Sequence, residues 1–173
     1  LFQVLGRMAG RLAWQLLPQH HASILWSFAA CEVKDGVLEL ADALLPAMQA
    51  RPFTDYDARQ AAGMLWSLAV LSEKHQSMIE FLLHAVCHSG TEGLVRDGPA
   101  HLASIVWAAA RLPGNKGHLE KALERSNVRR VAVELAGTAA ELSEGRRQNI
   151  AAVVRAMYDL GLAQSAQQLL QEF

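Results

Sequence analysis

One apolar segment centred on tryptophan occurs three times in this chain, at almost equal intervals. Trp26, Trp66 and Trp107 are 40 and 41 residues apart and lie within ASILWSFAAC (22–31), AGMLWSLAVL (62–71) and ASIVWAAARL (103–112). A weaker fourth copy begins at Ala151 and has Arg155 at the tryptophan position, 48 residues further on. A period of about 20–50 residues is typical of repeat proteins, in which each unit needs its neighbours to cover an apolar face.

The repeated segments and the stretches between them predict helices. Hydrophobic residues make up 51% of the chain but aromatic residues only 6%, so the apolar content is mostly Ala, Leu, Val and Ile. Ala and Leu favour helices, and no strand-period alternation of convincing length occurs. The tryptophan segments are apolar nearly all the way round, which predicts that these helices and their indoles are buried between neighbours. Residues 37–49 and 77–88 have a clearer polar face at helical spacing.

We therefore expect an all-α fold, and specifically an α-solenoid of stacked antiparallel helix pairs with repeats of about 40 residues. Alanine lies four residues before each tryptophan site, at positions 22, 62, 103 and 151. A small side chain at that place lets the next helix approach closely. A single closed helical bundle is the alternative architecture.

The pattern divides the chain, taken as one domain, into repeats. The leucine–proline spacing of the opening segment matches that of a later helix: Leu12, Leu16, Leu17 and Pro18 against Leu40, Leu44, Leu45 and Pro46. Residues 1–18 are therefore predicted to be the second helix of a preceding repeat. The following repeats are 19–50, 51–90, an enlarged unit at 97–142 and a terminal unit at 143–173. Thr54 is the expected N-cap of one tryptophan helix, and Pro99 the expected first residue of another.

The opening segment has a second interpretation. Arg7 and Arg11 precede the first acidic residue, Glu32, as in organelle-targeting peptides. We favour a helix that belongs to a longer chain.

No arrangement of residues indicates catalysis, a cofactor or a metal. The chain has no Gly-x-Ser-x-Gly elbow, no phosphate-binding glycine loop and no isolated pair of carboxylates. His84, Cys87 and His88 fall on one helical turn and have spacing that could bind a metal, but no fourth ligand is near, so we expect a polar helix end. His20 and His21 are expected to be loop or cap residues. We predict that the protein is not an enzyme.

Basic residues are concentrated in one part of the chain. Residues 1–110 hold 7 basic and 10 acidic side chains, whereas residues 111–155 hold 9 basic and 5 acidic ones. This region is the predicted contact with an RNA backbone. The candidate RNA-binding residues are Arg111, Lys116, Arg129, Arg130, Arg146, Arg147 and Arg155. The alternative is a solvated face whose cations pair with nearby glutamates.

The tryptophans themselves have two interpretations. Exposed indoles stack on nucleic-acid bases, whereas buried indoles hold helices together. Because Trp26, Trp66 and Trp107 lie among apolar neighbours, we expect a structural role for them. Trp14 lies outside these segments and is expected nearer the surface.

The segments ASILWSFA, GMLWSLAVL and SIVWAAARL resemble the first-helix signature of octotricopeptide repeats: a small residue, two apolar residues, Trp, Ala or Ser, and then Leu-Ala with a basic-Leu ending. They are also similar to the helical repeats that precede RAP domains in organellar proteins. The likeness is good over residues 18–112 and weak over 145–162. The chain lacks the Pro-rich signature of those repeats and any RAP-domain sequence.

This resemblance implies a non-catalytic helical-repeat protein of a mitochondrion or, alternatively, a chloroplast. Its implied partners are organellar RNA and the protein subunits of a larger assembly, most simply an organellar ribosome or an RNA-processing particle. A protein–protein scaffold with no RNA contact is the alternative. Neither a membrane nor a small-molecule substrate is expected.

Overall fold

Every element of the chain that the structure describes is a helix or a turn. The computed structural model describes residues 2–72, 75–96, 99–112, 151, 154–155, 157–159, 161 and 163–171. Its main helices are α1 (Phe2–Arg11), α2 (Pro18–Ala30), α3 (Val37–Gln49), α4 (Ala58–Leu71), α5 (Gln76–Arg96), α6 (Pro99–Arg111) and α7 (Ala163–Gln171). Short 3-10 turns occupy Ala13–Gln15 and Phe53–Asp55. The predicted all-α class is confirmed, and these ranges contain no β-strand.

The helices make contact in two series. α4 lies against both α2 and α6, so the three helices that bear the tryptophan segments follow one another. α3 lies against both α1 and α5, which gives a second series made of the intervening helices. α5 joins the two series because it also contacts α4 and α6. Most of the enlarged unit predicted at 97–142 lies outside the described residues.

Helix α4 is the centre of the core. Its side chains Met64, Leu65 and Leu68 are fully buried, and so are Ala61 and Ala62. Small side chains such as these leave room for a neighbouring helix. Burial of α4, which contacts α2 and α6 of its own series, is extensive but not complete around the helix, since Arg59 is exposed and Trp66 is only partly buried.

The expected burial of the indoles is wrong for Trp26, which is 54% exposed. Trp66 and Trp107 are only partly buried and pack against the core. Leu25 and Phe28, which flank Trp26 in the sequence, are buried. Successive helical residues are about 100° apart around the axis. When Leu25 faces the core, Trp26 therefore lies to one side of the buried face. Trp14 is 63% exposed, as expected.

The helix boundaries agree with some expectations and correct others. α6 begins at Pro99, as predicted. The N-cap of α4 is Asp57 and not Thr54, since Thr54 belongs to the preceding 3-10 turn. The Asp57 carboxylate accepts a hydrogen bond from the Gln60 N–H at 2.7 Å, and the Gln60 side chain accepts one from the Asp57 N–H at 3.3 Å. This reciprocal pair satisfies two donors at the helix start.

The proposed equivalence of Pro18 and Pro46 is also wrong. α1 ends at Arg11, and Pro18 begins α2, whereas Pro46 lies inside α3. α1 is nevertheless placed against α3, with Gly10 at the contact. A Cβ atom on Gly10 would lie 2.8 Å from the Cβ of Ala43, so only glycine permits this approach.

Candidate RNA-contact site at the end of α6

Two of the seven candidate RNA-binding residues lie in the part of the chain that the structure describes. Arg111 is the last residue of α6, Arg155 lies in a short helical stretch, and both are exposed. Five candidates lie outside the described residues: Lys116, Arg129, Arg130, Arg146 and Arg147. A shared basic face therefore stays a prediction, and Arg111 is the member of the set that makes a described side-chain contact.

Arg111 is held over the ring of Trp107. Its guanidinium carbon lies 3.9 Å from the centre of the indole, one helical turn back on α6. At this distance the cation is attracted by the negative face of the ring. Arg111 also lies in the last turn of its helix, where the carbonyl ends favour a positive charge. These two interactions therefore favour one orientation of a side chain that would otherwise sample many rotamers.

A cavity of about 440 Å³ opens beside this pair, between the carboxyl ends of α4 and α6. It is lined by Ala69, Val70, Ser72, Trp107, Arg111 and Leu112. Ser72 ends α4 in the left-handed region (φ 59°), and its N–H is bonded back to the helix. The cavity thus combines an apolar wall with one hydroxyl and one guanidinium. Its volume lies within the range of about 300–1,000 Å³ that small-molecule sites occupy.

Arg111 has no basic counterpart in the two earlier copies of the tryptophan segment. Four residues after the tryptophan, the earlier copies have Ala30 and Val70, where α6 has Arg111. Sequence reasoning chose Arg111 for its charge and took Trp107 for a structural residue, so it missed that the two form one unit. The spacing of four positions on a predicted helix was the available signal, since such residues are neighbours on a helix surface.

A second polar group of residues joins two connectors. His21 is buried, contrary to the expected loop or cap position. Its Nε2 lies 3.2 Å from the carbonyl oxygen of Ala13, and its Nδ1 lies 3.0 Å from the hydroxyl of Tyr56. A carbonyl only accepts, so Nε2 carries the hydrogen and Nδ1 accepts from Tyr56. Arg51 donates from Nη2 to the carbonyl of Leu16 at 2.8 Å.

Burial is the main cause of the lowered pKa of His21 and of the raised pKa of Tyr56. The positive charge of Arg51 acts in the downward direction on both pKa values, so it opposes the effect of burial at Tyr56. Both rings are therefore neutral near pH 7. The hydrogen-bond partners are side chains and backbone of neighbouring turns, so this group fixes the connectors. His20 behaves as predicted, because its Nδ1 accepts from the N–H of Leu17 at the start of α2.

The histidines of the H-x-x-C-H turn face an aromatic ring. The ring centres of His84 and His88 lie 5.8 and 5.0 Å from that of Phe53, with interplanar angles of 26° and 27°. Phe81 lies 5.0 Å from the same ring. Within the described ranges, no group of three or more His, Cys, Asp or Glu side chains is placed to hold a metal ion. Nor does any described helix combine the length and apolar character needed to cross a bilayer.

Comparisons with known protein families, with curated proteins and with solved structures found no match to this chain. The resemblance to octotricopeptide repeats therefore stays a prediction that rests on the three tryptophan segments. What the geometry adds is one exposed cation, pre-oriented on an indole at the mouth of a cavity.

Proposed function

We propose that this chain is an α-solenoid of stacked antiparallel helix pairs and acts as a non-catalytic module of an organellar ribonucleoprotein. The two contact series, α2–α4–α6 and α1–α3–α5, support this architecture, because stacked hairpins bring like helices together. The particle is a mitochondrial ribosome or an RNA-processing assembly, and the chloroplast counterpart is the alternative location. In this role the chain contacts an RNA backbone and neighbouring protein subunits.

The observation that carries the RNA contact is the placement of Arg111 over Trp107. A guanidinium group can donate two parallel hydrogen bonds to the oxygens of one phosphate. The contact with the indole reduces the side-chain entropy that Arg111 loses on binding. The other six candidate cations all follow Arg111 in the sequence, between positions 116 and 155, which favours a basic surface that begins at this helix end. A few phosphate contacts give modest, salt-dependent affinity.

The test is a titration of single-stranded RNA with the whole chain across a range of salt concentrations. The quadruple variant R129E/R130E/R146E/R147E should lose binding. The matched control reverses four exposed cations of the first 110 residues, Arg7, Arg11, Lys34 and Arg59, and should retain it. At the described site, Arg111→Glu should make the negative slope of log K against log salt shallower by about 0.7, the value for one phosphate contact with a single strand. Arg59→Glu, on α4, is its control. Equal losses in both quadruple variants would contradict a local RNA surface.

A protein scaffold is the second candidate function, and the exposed side of α1 favours it. Val4, Leu5 and Met8 are each about half exposed although α1 packs against α3 on its other side. Apolar residues gathered on one exposed face mark interaction surfaces. Nuclease treatment of the particle separates the two functions. If the chain stays with its protein partners after RNA digestion, the scaffold role is supported; release supports the RNA contact.

A further inference from the structure

We propose that the cavity between α4 and α6 receives one unpaired nucleobase, which stacks on the outer face of the Arg111 guanidinium. This inference rests on the proposed RNA-binding function and specifies its ligand. The RNA at this site is then single-stranded, and Arg111 is a base-stacking residue as well as a phosphate contact.

The orientation of Arg111 provides the stacking platform. The guanidinium carbon of Arg111 lies 3.9 Å from the centre of the Trp107 indole, and the side chain is exposed, so part of the guanidinium stays accessible to a ligand. Guanidinium planes stack on bases as aromatic rings do. Because the contact with the indole already restricts the Arg111 side chain, less rotamer freedom is lost when a base binds.

The electrostatics of the cavity favour a neutral ring over a phosphate inside it. Ala69, Val70 and Ser72 belong to the carboxyl end of α4, and Arg111 and Leu112 to that of α6. Helix carboxyl ends carry partial negative charge, which repels an anion and attracts N–H donors. The base-pairing edges of adenine, guanine and cytosine carry N–H donors. The phosphate is therefore expected outside, at the edge of the guanidinium.

The lining agrees with a planar, largely apolar ligand. Leu112 is buried, and Ala69 and Val70 supply further apolar surface, while Ser72 supplies a hydroxyl at the rim. A base inside a duplex is stacked on its neighbours and presents no free face, so a double strand cannot fill the cavity without unstacking. Single-stranded RNA exposes the base without that cost.

The test measures the affinity of the wild-type chain and of Arg111→Lys for two RNAs. The probes are a mixed-sequence single-stranded RNA of about twenty nucleotides and a strand of the same length in which every residue is abasic, a length that exceeds the site of about 4–16 nucleotides in single-strand binders. The wild-type chain should prefer the intact strand by about 5- to 150-fold, the range for one stacked base. Arg111→Lys keeps the charge but has no plane, so this preference should vanish while salt-dependent binding remains.

Each outcome is decisive. If Arg111→Lys keeps the wild-type preference for the intact strand, the base-stacking inference fails and the RNA-binding proposal stands. If the wild-type chain binds neither RNA, the proposed function fails, and the cavity serves a protein contact or none. Circular dichroism of Arg111→Lys provides the folding control, and Arg59→Lys on α4 should leave the preference unchanged. Duplex RNA of the same sequence should bind the wild type and Arg111→Lys alike.

Discussion

The Nδ1 atom of His21 accepts a hydrogen bond from the hydroxyl of Tyr56 at 3.0 Å, across 35 residues of sequence. The pair lies where the connector before α2 meets the connector before α4. Because Nε2 donates to the carbonyl of Ala13 at 3.2 Å, the Nδ1 atom of the neutral ring is left to accept from Tyr56. The protonation of one buried ring is thereby coupled to the packing of two turns.

The protein should lose stability as the pH falls below about 6.5, the ordinary pKa of histidine. Burial lowers the pKa of folded His21, so the unfolded chain takes up this proton at a higher pH than the folded chain. The stabilising contribution is therefore complete above pH 6.5 and decreases as the pH falls toward the folded-state pKa. Denaturant unfolding of wild type and His21→Gln from pH 7.5 to 5 measures it. Glutamine offers a donor and an acceptor but does not titrate.

The stability difference between wild type and His21→Gln should shrink toward acid pH. A constant difference over this range would contradict the role of His21. Tyr56→Phe is the companion variant, because it leaves the buried Nδ1 without its donor. It should cost about 1–3 kcal/mol at neutral pH, the usual penalty of an unsatisfied buried polar group.

Gly10→Ala should be less stable than Gly63→Ala by about 1–3 kcal/mol, the cost of overpacking. The new Cβ would lie 2.8 Å from that of Ala43 and would push α1 away from α3, whereas nothing lies within 4 Å of a Cβ at Gly63. Both changes replace a glycine inside a helix, so both gain the same propensity of about 1 kcal/mol and the difference isolates the steric contact. Denaturant midpoints of the two variants provide the measurement. Equal stabilisation would show that α1 can move without cost.

The sequence was sufficient for the helical class and for several boundaries, because these depend on local preferences. Proline at the start of α6 and the apolar periodicity of α4 are examples. The orientation of Trp26 was not predictable in the same way. Repetition shows that a position has the same role in each copy, but not whether that role is central or at the flank of a helix. Which side of α2 faces α4 is decided by tertiary contacts.

The candidate site shows the same limit. Charge statistics identified Arg111, and helical spacing places it beside Trp107, yet the cavity requires the end of α4 as its second wall. The contact between His21 and Tyr56 is likewise long-range, so no local pattern around His21 indicated burial. Local signals therefore selected Arg111, but they indicated neither its cavity nor the buried pair of His21 and Tyr56, which depend on tertiary contacts.

Asp57→Ala should destabilise the protein by about 0.5–2 kcal/mol, whereas Thr54→Ala should change stability by less than about 0.5 kcal/mol. The Asp57 carboxylate accepts the N–H of Gln60 at the start of α4, and Thr54 is an exposed residue of the preceding turn. Thermal unfolding of the two alanine variants compares them directly. A larger loss of stability for Thr54→Ala than for Asp57→Ala would indicate that Thr54 is the N-cap, as expected from the sequence alone.

Leu25→Ala should destabilise the protein more than Trp26→Ala, although tryptophan is the larger side chain. Leu25 is fully buried, and its truncation should cost about 2–5 kcal/mol through lost burial and the cavity that remains. Trp26 keeps 54% of its surface in water, so its removal exposes less apolar area and opens no closed cavity. Chemical denaturation of both variants, with the fluorescence of the remaining tryptophans as the signal, gives the two free energies of unfolding. The opposite order would mean that the indole of Trp26 is covered in the folded protein, and the buried-tryptophan interpretation of the repeat would then be correct for α2.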